Sequence, residues 1–234
     1  MHLRGRRATM RKVRLAPQKE CGHPSLTNRP VGLYLADMVV TDKGSETRQR
    51  ILEVAAHAFA ERGYAGISLN DVIRRTGLTK GGFYFHFDSK AELALAVCDH
   101  IRDSARMRAL NVASQHDRAV DQIDAIVRQI VVDKTSDPSM AALGRVCQEL
   151  ATAEPDLRGK LGHFEGWFTT TEELLRAAQA EGSMDPSVDV ERAAWFLVTS
   201  FVGADFVSDL RGDDLAQYTD TYLEHAFRAV GLTR

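Results

Sequence analysis

The chain has 234 residues, and its 30 lysines and arginines against 32 aspartates and glutamates give a net charge of -2. A hydrophobic fraction of 44% and a charged fraction of 26% exclude a mainly disordered or collagen-like chain. No run approaches the ~18 apolar residues of a membrane-spanning helix, and three scattered cysteines are too few for a disulfide framework or a cysteine-rich zinc site. A cytoplasmic protein without membrane association is therefore expected.

The charge is distributed unevenly along the chain. Residues 1–37 hold eight basic against two acidic side chains, a net of +6, and residues 45–90 hold seven against five, a net of +2. Residues 91–234 hold 14 against 24, a net of -10. This asymmetry indicates one part that faces a polyanion and another part with a different task.

Residues 1–44 contain three prolines and no sustained apolar period, which predicts a disordered basic tail. The segment lacks the apolar run of a signal peptide. A basic arm of this kind could add phosphate contacts on a nucleic acid. An inert tail and a translation start at Met38 are alternatives that the residues leave open.

Three short helical patterns follow the tail. The apolar residues of Ile51–Phe59 recur at helical spacing, which predicts a helix from about residue 45 that Gly63 ends. Ser68 caps a second helix that Gly77 breaks, and Thr79 opens a third that runs to about residue 85. The second and third together predict a helix-turn-helix, with the glycine in its turn.

The remainder of the chain also has helical patterns. A capping box at Ser89–Glu92 starts a long fourth helix, and further helices are predicted at about 117–133, 138–151, 155–182, 189–210 and 213–230. The predicted fold class is therefore all-α, with about nine helices. We expect a helix-turn-helix domain at 45–90 and a second helical domain at 91–234 after the tail.

A helix-turn-helix places its second helix in the major groove of DNA, with the amino-terminal residues toward the base edges. Thr79 and Lys80 suit phosphate or base acceptors, and Tyr84 offers a hydroxyl group on a rigid ring. Gly81 and Gly82 each cost about 1 kcal/mol of helix stability relative to alanine. Close approach of the backbone to the duplex explains these glycines better than packing does.

The most specific part of this region is the run Leu78–Leu93, in which aromatic residues surround His86 and precede Ser89-Lys90. Over about residues 45–97 the chain resembles the amino-terminal domain of the TetR family of bacterial transcriptional regulators. The resemblance implies a homodimeric repressor that binds a palindromic operator in double-stranded DNA and is released when its carboxy-terminal domain binds a small molecule. By position, it also implies the DNA-contacting residues Ser68, Asn70, Thr79, Lys80, Gly81, Gly82, Tyr84, Phe85, His86 and Lys90. The run from Lys80 to Phe87 is also faintly similar to the γ-butyrolactone receptors of actinomycetes.

Several roles stay open at this point. Asn70 can pair with adenine or face a phosphate, and Phe85 can touch a thymine methyl group or pack inside the domain. Phe83 and Phe87 are expected on the inner face of the unit. An activator of the same fold and a helical interaction protein without DNA binding are the alternative functions.

The helix predicted at 189–210 has two apolar stripes, so both of its sides should be buried. One stripe fits the domain core, and the resemblance implies that the last two helices of each subunit form a four-helix dimer interface. The predicted interface residues are Ala194, Val198, Phe201, Val202, Gly203, Phe206, Tyr218 and Tyr222. The alternative is that these helices fill the core of a single monomer.

A ligand pocket is predicted where aromatic residues and methionines converge, because such side chains form apolar and adaptable walls. Its candidate residues are Met107, Met140, Cys147, Phe164, Trp167, Phe168, Trp195 and Thr199. The acidic charge of residues 91–234 disfavours an anionic ligand, so a neutral or cationic apolar effector is expected. Ordinary core packing is the alternative for each of these residues.

The sequence has no nucleophile elbow, phosphate-binding glycine-rich loop or His-Glu-x-x-His motif. No enzymatic activity, metal site or cofactor is therefore expected. Cys98 and Cys147 could respond to oxidation, which requires a lowered pKa and solvent access, or they could be buried and inert.

Overall fold

The computed structural model describes the backbone of residues 34–161 and 164–233, and within these ranges the side chains from residue 44 onward. The chain divides into two compact units, Met1–Asp42 and Lys43–Arg234. The described part contains helices and a single isolated bridge between Met184 and Leu232, with no β-strand. The predicted all-α class is thus confirmed.

Ten α-helices make up the described part of the chain, and nine of them are longer than four residues. Their bounds are α1 Tyr34–Arg62, α2 Leu69–Thr76, α3 Lys80–Tyr84, α4 Lys90–Ala113, α5 Ala119–Ser136, α6 Pro138–Ala153, α7 Arg158–Leu161, α8 Glu165–Glu181, α9 Val190–Arg211 and α10 Thr219–Ala229. Short 3-10 helices occupy Pro155–Leu157 and Leu215–Tyr218.

Two boundaries differ from the sequence-based expectation. Helix α1 begins at Tyr34 instead of near residue 45, because residues 34–44 contain no proline that would stop a helix. The end of the predicted disordered tail is therefore helical backbone, while residues 1–33 lie outside the described residues. The single helix predicted over 155–182 is instead a 3-10 turn followed by α7 and α8, in a stretch whose glycines lower helix propensity.

Side-chain caps set the starts of α4 and α6, and the cap at Ser89 was predicted. The Ser89 hydroxyl accepts a hydrogen bond from the Glu92 backbone at 3.1 Å, and the Glu92 carboxylate accepts one from the Asp88 backbone at 2.8 Å. Asp137 caps α6 ahead of Pro138, whose missing N–H costs nothing in the first turn. These caps fix where α4 and α6, the two long helices beside α1, begin.

The core of the described region has two main parts. One part joins α1, α2 and α3 to α4 and α6, with Phe59, Phe83, Phe87, Leu93 and Leu150 among its fully buried side chains. The other lies among α5, α8, α9 and α10. The first core crosses the boundary expected at residue 90, so the helix-turn-helix packs on the helices that follow it. The division at residue 90 stays a prediction.

Candidate DNA-binding surface and ligand cavity

Helices α2 and α3 are joined by a tight turn that the sequence specifies. Gly77 adopts a φ of 70°, which is unfavourable for residues with a Cβ atom. The Thr76 hydroxyl donates to the Ile73 carbonyl at 2.7 Å and accepts from the Leu78 backbone N–H at 3.2 Å. These bonds hold α3 at a fixed angle to α2.

The inner face of this unit is a cluster of aromatic and aliphatic side chains. Phe83 and Phe87 are 0% and 1% exposed, and their ring centroids lie 6.1 Å apart. Val72 of α2 is fully buried in the same core. The predicted inner positions of both phenylalanines are confirmed, and the opposite side of α3 is left to solvent.

The amino-terminal end of α3 is open to an external partner. The Thr79 hydroxyl caps the helix by accepting from the Gly82 backbone at 3.2 Å. A Cβ atom added at Gly81 would meet nothing within 4 Å, and one added at Gly82 would meet only the Thr79 hydroxyl, at 3.3 Å. Packing within the chain therefore does not explain the glycine at 81.

Most of the predicted DNA-contacting residues are accessible to solvent. Eight of the ten are exposed, and His86 and Lys90 are half-buried. Phe85 is 82% exposed, with its ring edge-to-face against His86 at 5.2 Å, so it does not pack into the core. Of the two roles left open for Phe85, the structure removes packing and leaves contact with a partner.

The Lys90 side chain is half-buried, unlike a lysine that is free to bind a phosphate group. Its ammonium lies 4.3 Å from the centroid of the Tyr64 ring, a cation–π contact. Partial burial lowers the pKa of Lys90, while Glu149 and Glu154 oppose that shift. The side chain therefore links α4 to the end of α1, and its phosphate contact stays a prediction.

Arg48 is an exposed basic residue near the segment after α3 that the predicted set omits. Its guanidinium lies 5.0 Å from the centroid of the Phe87 ring, although the side chain as a whole is exposed. The sequence feature that could have indicated it is the pair of basic residues Arg48 and Arg50, directly before the first apolar period. Only the packing of α1 on the segment after α3 shows which of the two lies there.

Helix α6 makes direct polar contacts with the end of α1. Arg145 donates to the Ala60 carbonyl at 2.8 Å, and the Glu149 carboxylate accepts from the Ala65 N–H at 3.0 Å. Gly63 has a φ of 72°, which favours glycine, and an added Cβ atom would lie 2.6 Å from the Glu149 carboxylate, so that this side chain would have to move. The helix-turn-helix is therefore connected to α6 as well as to α4.

A cavity of about 290 Å³ lies among α4, α5, α6, α8, α9 and α10. Its walls are mainly aliphatic and aromatic, with side chains such as Ile126, Leu143 and Phe201. Four of the predicted pocket residues line it, namely Met140, Cys147, Phe164 and Trp167. The polar groups at its walls are Arg102, Thr171, Asp205, Tyr222 and the Cys147 thiol.

The other four predicted pocket residues do not line this cavity. Met107 and Trp195 are 61% and 62% exposed, on the outer faces of α4 and α9. Thr199 lies one turn after Trp195 and donates to its carbonyl at 2.7 Å. Phe168 follows the lining residue Trp167, and one helical residue turns the side chain by about 100° away from it.

Two polar groups in the walls have internal partners. The Asp205 carboxylate pairs with Lys134, and burial raises the pKa of Asp205. The Tyr222 hydroxyl donates to the Leu197 carbonyl at 2.8 Å, and burial raises the pKa of this phenol. A ligand in the cavity would thus meet an apolar surface with few anchoring groups.

The outer face of α9 exposes an apolar stripe at helical spacing. Trp195, Val202, Phe206 and Leu210 are all exposed there, and the same helix is long and apolar enough to cross a membrane by length and composition alone. That corrects the expectation that no run approaches this limit. The helix also carries Asp205, which pairs with Lys134 of α5, and exposed apolar stripes of this kind mark interaction sites in proteins.

The predicted interface residues divide between this stripe and the interior. Val202, Gly203, Phe206 and Tyr218 are exposed, while Val198, Phe201 and Tyr222 are half-buried beside the cavity. Ala194 is 0% exposed and belongs to the core between α8 and α9, so it cannot meet a partner. The predicted interface set omits Trp195 and Leu210 of the exposed stripe, because the two apolar stripes of the helix have similar composition.

Two family patterns match the chain. The tetR family of bacterial regulatory proteins matches residues 51–97, and the tetracyclin repressor-like C-terminal domain matches residues 142–229. The first match contains the helix-turn-helix, and the second contains α8, α9 and α10 together with most of α6.

Similar proteins share most of this fold. The A-factor receptor protein of Streptomyces griseus is 27% identical over 179 residues, which is 71% of this chain but only 59% of that protein. The HTH-type transcriptional repressor DhaR of Mycobacterium sp. is 26% identical over 67% of this chain and 79% of the relative. The crystal structure of a TetR transcriptional regulator from Chloroflexus aurantiacus superposes with a TM-score of 0.61 and 30% identity, covering 81% of this chain and 94% of that one.

Proposed function

Because this chain belongs to the TetR family and is a DNA-binding transcriptional regulator, we propose that it is a homodimeric repressor that a small-molecule effector releases from a palindromic operator. The observation that carries the proposal is that the amino-terminal end of α3 is open to a partner, in a chain whose later helices enclose a cavity. Repression is supported by the name of the relative from Mycobacterium, and binding of a small molecule by that of the Streptomyces receptor. The protein acts in the cytoplasm, where the operator DNA is.

The recognition surface combines a capped helix start with accessible polar side chains. Lys80 supplies a positive charge for phosphate, and Tyr84, 45% exposed, supplies a hydroxyl group. The glycines at 81 and 82 let the backbone approach the duplex. Since residues 45–90 have a net charge of only +2, attraction to phosphate is modest and affinity depends on specific contacts from two subunits.

The exposed stripe on α9 supports the homodimer. Burying Trp195, Phe206 and Leu210 against the same stripe of a second copy removes large apolar side chains from water, at about 25 cal/mol per Å². A twofold axis beside α9 makes the interface self-complementary. It also fixes the separation of the two α3 helices, which must match half-sites about 34 Å apart.

The cavity supports an effector that is neutral and mainly apolar. Its volume of about 290 Å³ is at the lower limit of small-molecule sites, and its walls are largely hydrocarbon. The Thr171 hydroxyl is an uncharged anchor at its walls, whereas the Tyr222 hydroxyl already donates to the Leu197 carbonyl. The charged groups Arg102 and Asp205 already have partners within the chain.

Helices α4 and α6 connect the cavity to the DNA-binding unit. Each contributes wall residues, for example Ala105 from α4 and Leu143 from α6. At its other end α4 begins at the Ser89 cap directly after the helix-turn-helix, and α6 bonds to the end of α1 through Arg145. An effector that prefers a different spacing of these two helices would move the two recognition units and lower operator affinity.

Gel-shift titration with the DNA upstream of the protein's own gene tests DNA recognition. Lys80→Ala and Tyr84→Ala should weaken sequence-selective, salt-sensitive binding while the dimer stays intact by sedimentation. Lys160→Ala, an exposed lysine on α7, is the matched control and should bind like the parent. If both recognition variants bind as tightly as the parent, the surface assigned to DNA is wrong. A reporter gene behind the bound DNA distinguishes repression from activation.

A further inference from the structure

Two cysteines from different helices meet beside the cavity. The Sγ atoms of Cys98 on α4 and Cys147 on α6 lie 3.3 Å apart, and both are free thiols. Cys98 is completely buried, whereas Cys147 is half-buried and lines the cavity wall. A small molecule in the cavity therefore reaches one sulfur atom directly and the other only through it.

Arg102 gives the two sulfur atoms different character. Its Nη2 atom donates to the Cys147 Sγ at 3.1 Å and to the Leu161 carbonyl at 2.9 Å, which holds the guanidinium in place. The hydrogen bond with Cys98 and the Arg102 charge lower the pKa of Cys147 against the effect of burial. The contact with Cys147, together with burial, raises the pKa of Cys98. Cys147 is thus the nucleophile of the pair, and Cys98 keeps its proton.

We propose that Cys147 and Cys98 form a peroxide-responsive pair, in which a hydroperoxide small enough to enter the cavity oxidises the two thiols to a disulfide. The Cys147 thiolate attacks one peroxide oxygen, the O–O bond breaks, and the other oxygen leaves as an alcohol, or as water from hydrogen peroxide, carrying the proton that Cys147 gave up. The product at Cys147 is a sulfenic acid. The Cys98 sulfur then attacks this sulfur, the S–O bond breaks, and the hydroxide leaves as water with the proton of Cys98.

Overall, two thiols lose two electrons to the peroxide, which is reduced to an alcohol and water. Thiols of the reducing cytoplasm return the pair to its starting state by exchange. Because Cys98 is fully buried and next to Cys147, the sulfenic acid is captured before a second peroxide oxidises it further.

The disulfide would act on the same two helices that connect the cavity to the DNA-binding unit, a consequence that rests on the proposed function. A disulfide bond is about 2.05 Å long, so the sulfur atoms must approach from their 3.3 Å contact. The bond ties α4 to α6 within the core shared with the helix-turn-helix. Oxidation would therefore fix one arrangement of these helices without any effector.

Thiol titration of the full chain tests the pair independently of DNA. The reduced protein has three thiols, and hydrogen peroxide should leave one that reacts with a thiol reagent after unfolding. Peptide mass mapping should find Cys98 and Cys147 in one cross-linked product that a reductant cleaves. Cys21→Ser is the matched control and should still lose two thiols, whereas Cys98→Ser and Cys147→Ser should form no intramolecular disulfide.

Three results of the thiol titration and peptide mapping would refute the proposed cysteine pair. They are three remaining thiols, a disulfide that contains Cys21, and oxidation of Cys147 to a sulfinic acid while Cys98 stays reduced. Operator titration of reduced and oxidised parent protein, with Cys98→Ser as the insensitive control, then measures the consequence. A disulfide that forms without changing operator affinity would refute its regulatory role but leave the thiol chemistry standing. Lack of operator binding by the reduced protein would count against the proposed function alone.

Discussion

Replacing Gly81 by alanine should change folding stability and DNA affinity in opposite directions. The added methyl group meets no atom within 4 Å in the free protein, and Gly81 is a helical residue of α3 without a positive φ. Alanine is favoured over glycine in a helix by up to about 1 kcal/mol. That gain corresponds to a rise in Tm of roughly 2–4 °C for a chain of this size.

On the operator the same methyl group occupies the space that the glycine keeps free between backbone and duplex. We expect affinity to fall at least about tenfold, or ~1.4 kcal/mol. Thermal unfolding followed by circular dichroism measures the first effect, and fluorescence anisotropy with labelled operator measures the second. Gly82→Ala is less suitable, because its Cβ atom would lie 3.3 Å from the capping hydroxyl of Thr79.

Gly159→Ala is the matched control for this substitution. Gly159 lies in α7, is exposed, and likewise has no atom within 4 Å of an added Cβ. It should keep full operator affinity. If Gly81→Ala binds the operator as tightly as the parent, close backbone approach is not the reason for the glycine, and the orientation assigned to α3 is refuted.

Three further substitutions test other parts of the molecule. Phe206→Asp, in the exposed stripe of α9, should give a monomer by sedimentation, whereas Val132→Asp on α5 should not; a stable Phe206→Asp dimer would place the interface elsewhere. Ile126→Trp should fill the cavity and abolish effector release while operator binding persists, and continued release would show that the effector binds outside it. Burial and Glu154 raise the pKa of Tyr64 from 10.0 to about 12. The contribution of Tyr64 to the free energy of unfolding is therefore fully present below pH 10.0 and is lost as the pH rises through about 12. Tyr64→Phe should therefore make alkaline unfolding less steep, and identical profiles would contradict this assignment.

The contacts of α6 bear on how an effector signal could be transmitted. Arg145 and Glu149 bond to backbone groups at the end of α1, and Cys147 between them lines the cavity. These long-range bonds join residues 84 and 85 positions apart, which no local pattern reveals.

The sequence alone was sufficient for the features that depend on local interactions. The cap at Ser68, the turn at Gly77 and the start of α4 at Ser89 follow from side chains within four residues, and so does the set of exposed residues on α3. Periodicity also identified the apolar helices of the carboxy-terminal part. Periodicity could not decide which of the two stripes of α9 faces the interior, since both contain large apolar residues.

Only the tertiary structure decided which side of each helix faces the cavity, the core or solvent. Trp195 was expected in the pocket and lies outside, whereas Phe201 was expected at the interface and lines the cavity, because the packing of α5, α8 and α10 fixes the rotation of α9. The meeting of Cys98 and Cys147 has the same origin. The two residues are 49 positions apart and touch only because α4 and α6 share one core.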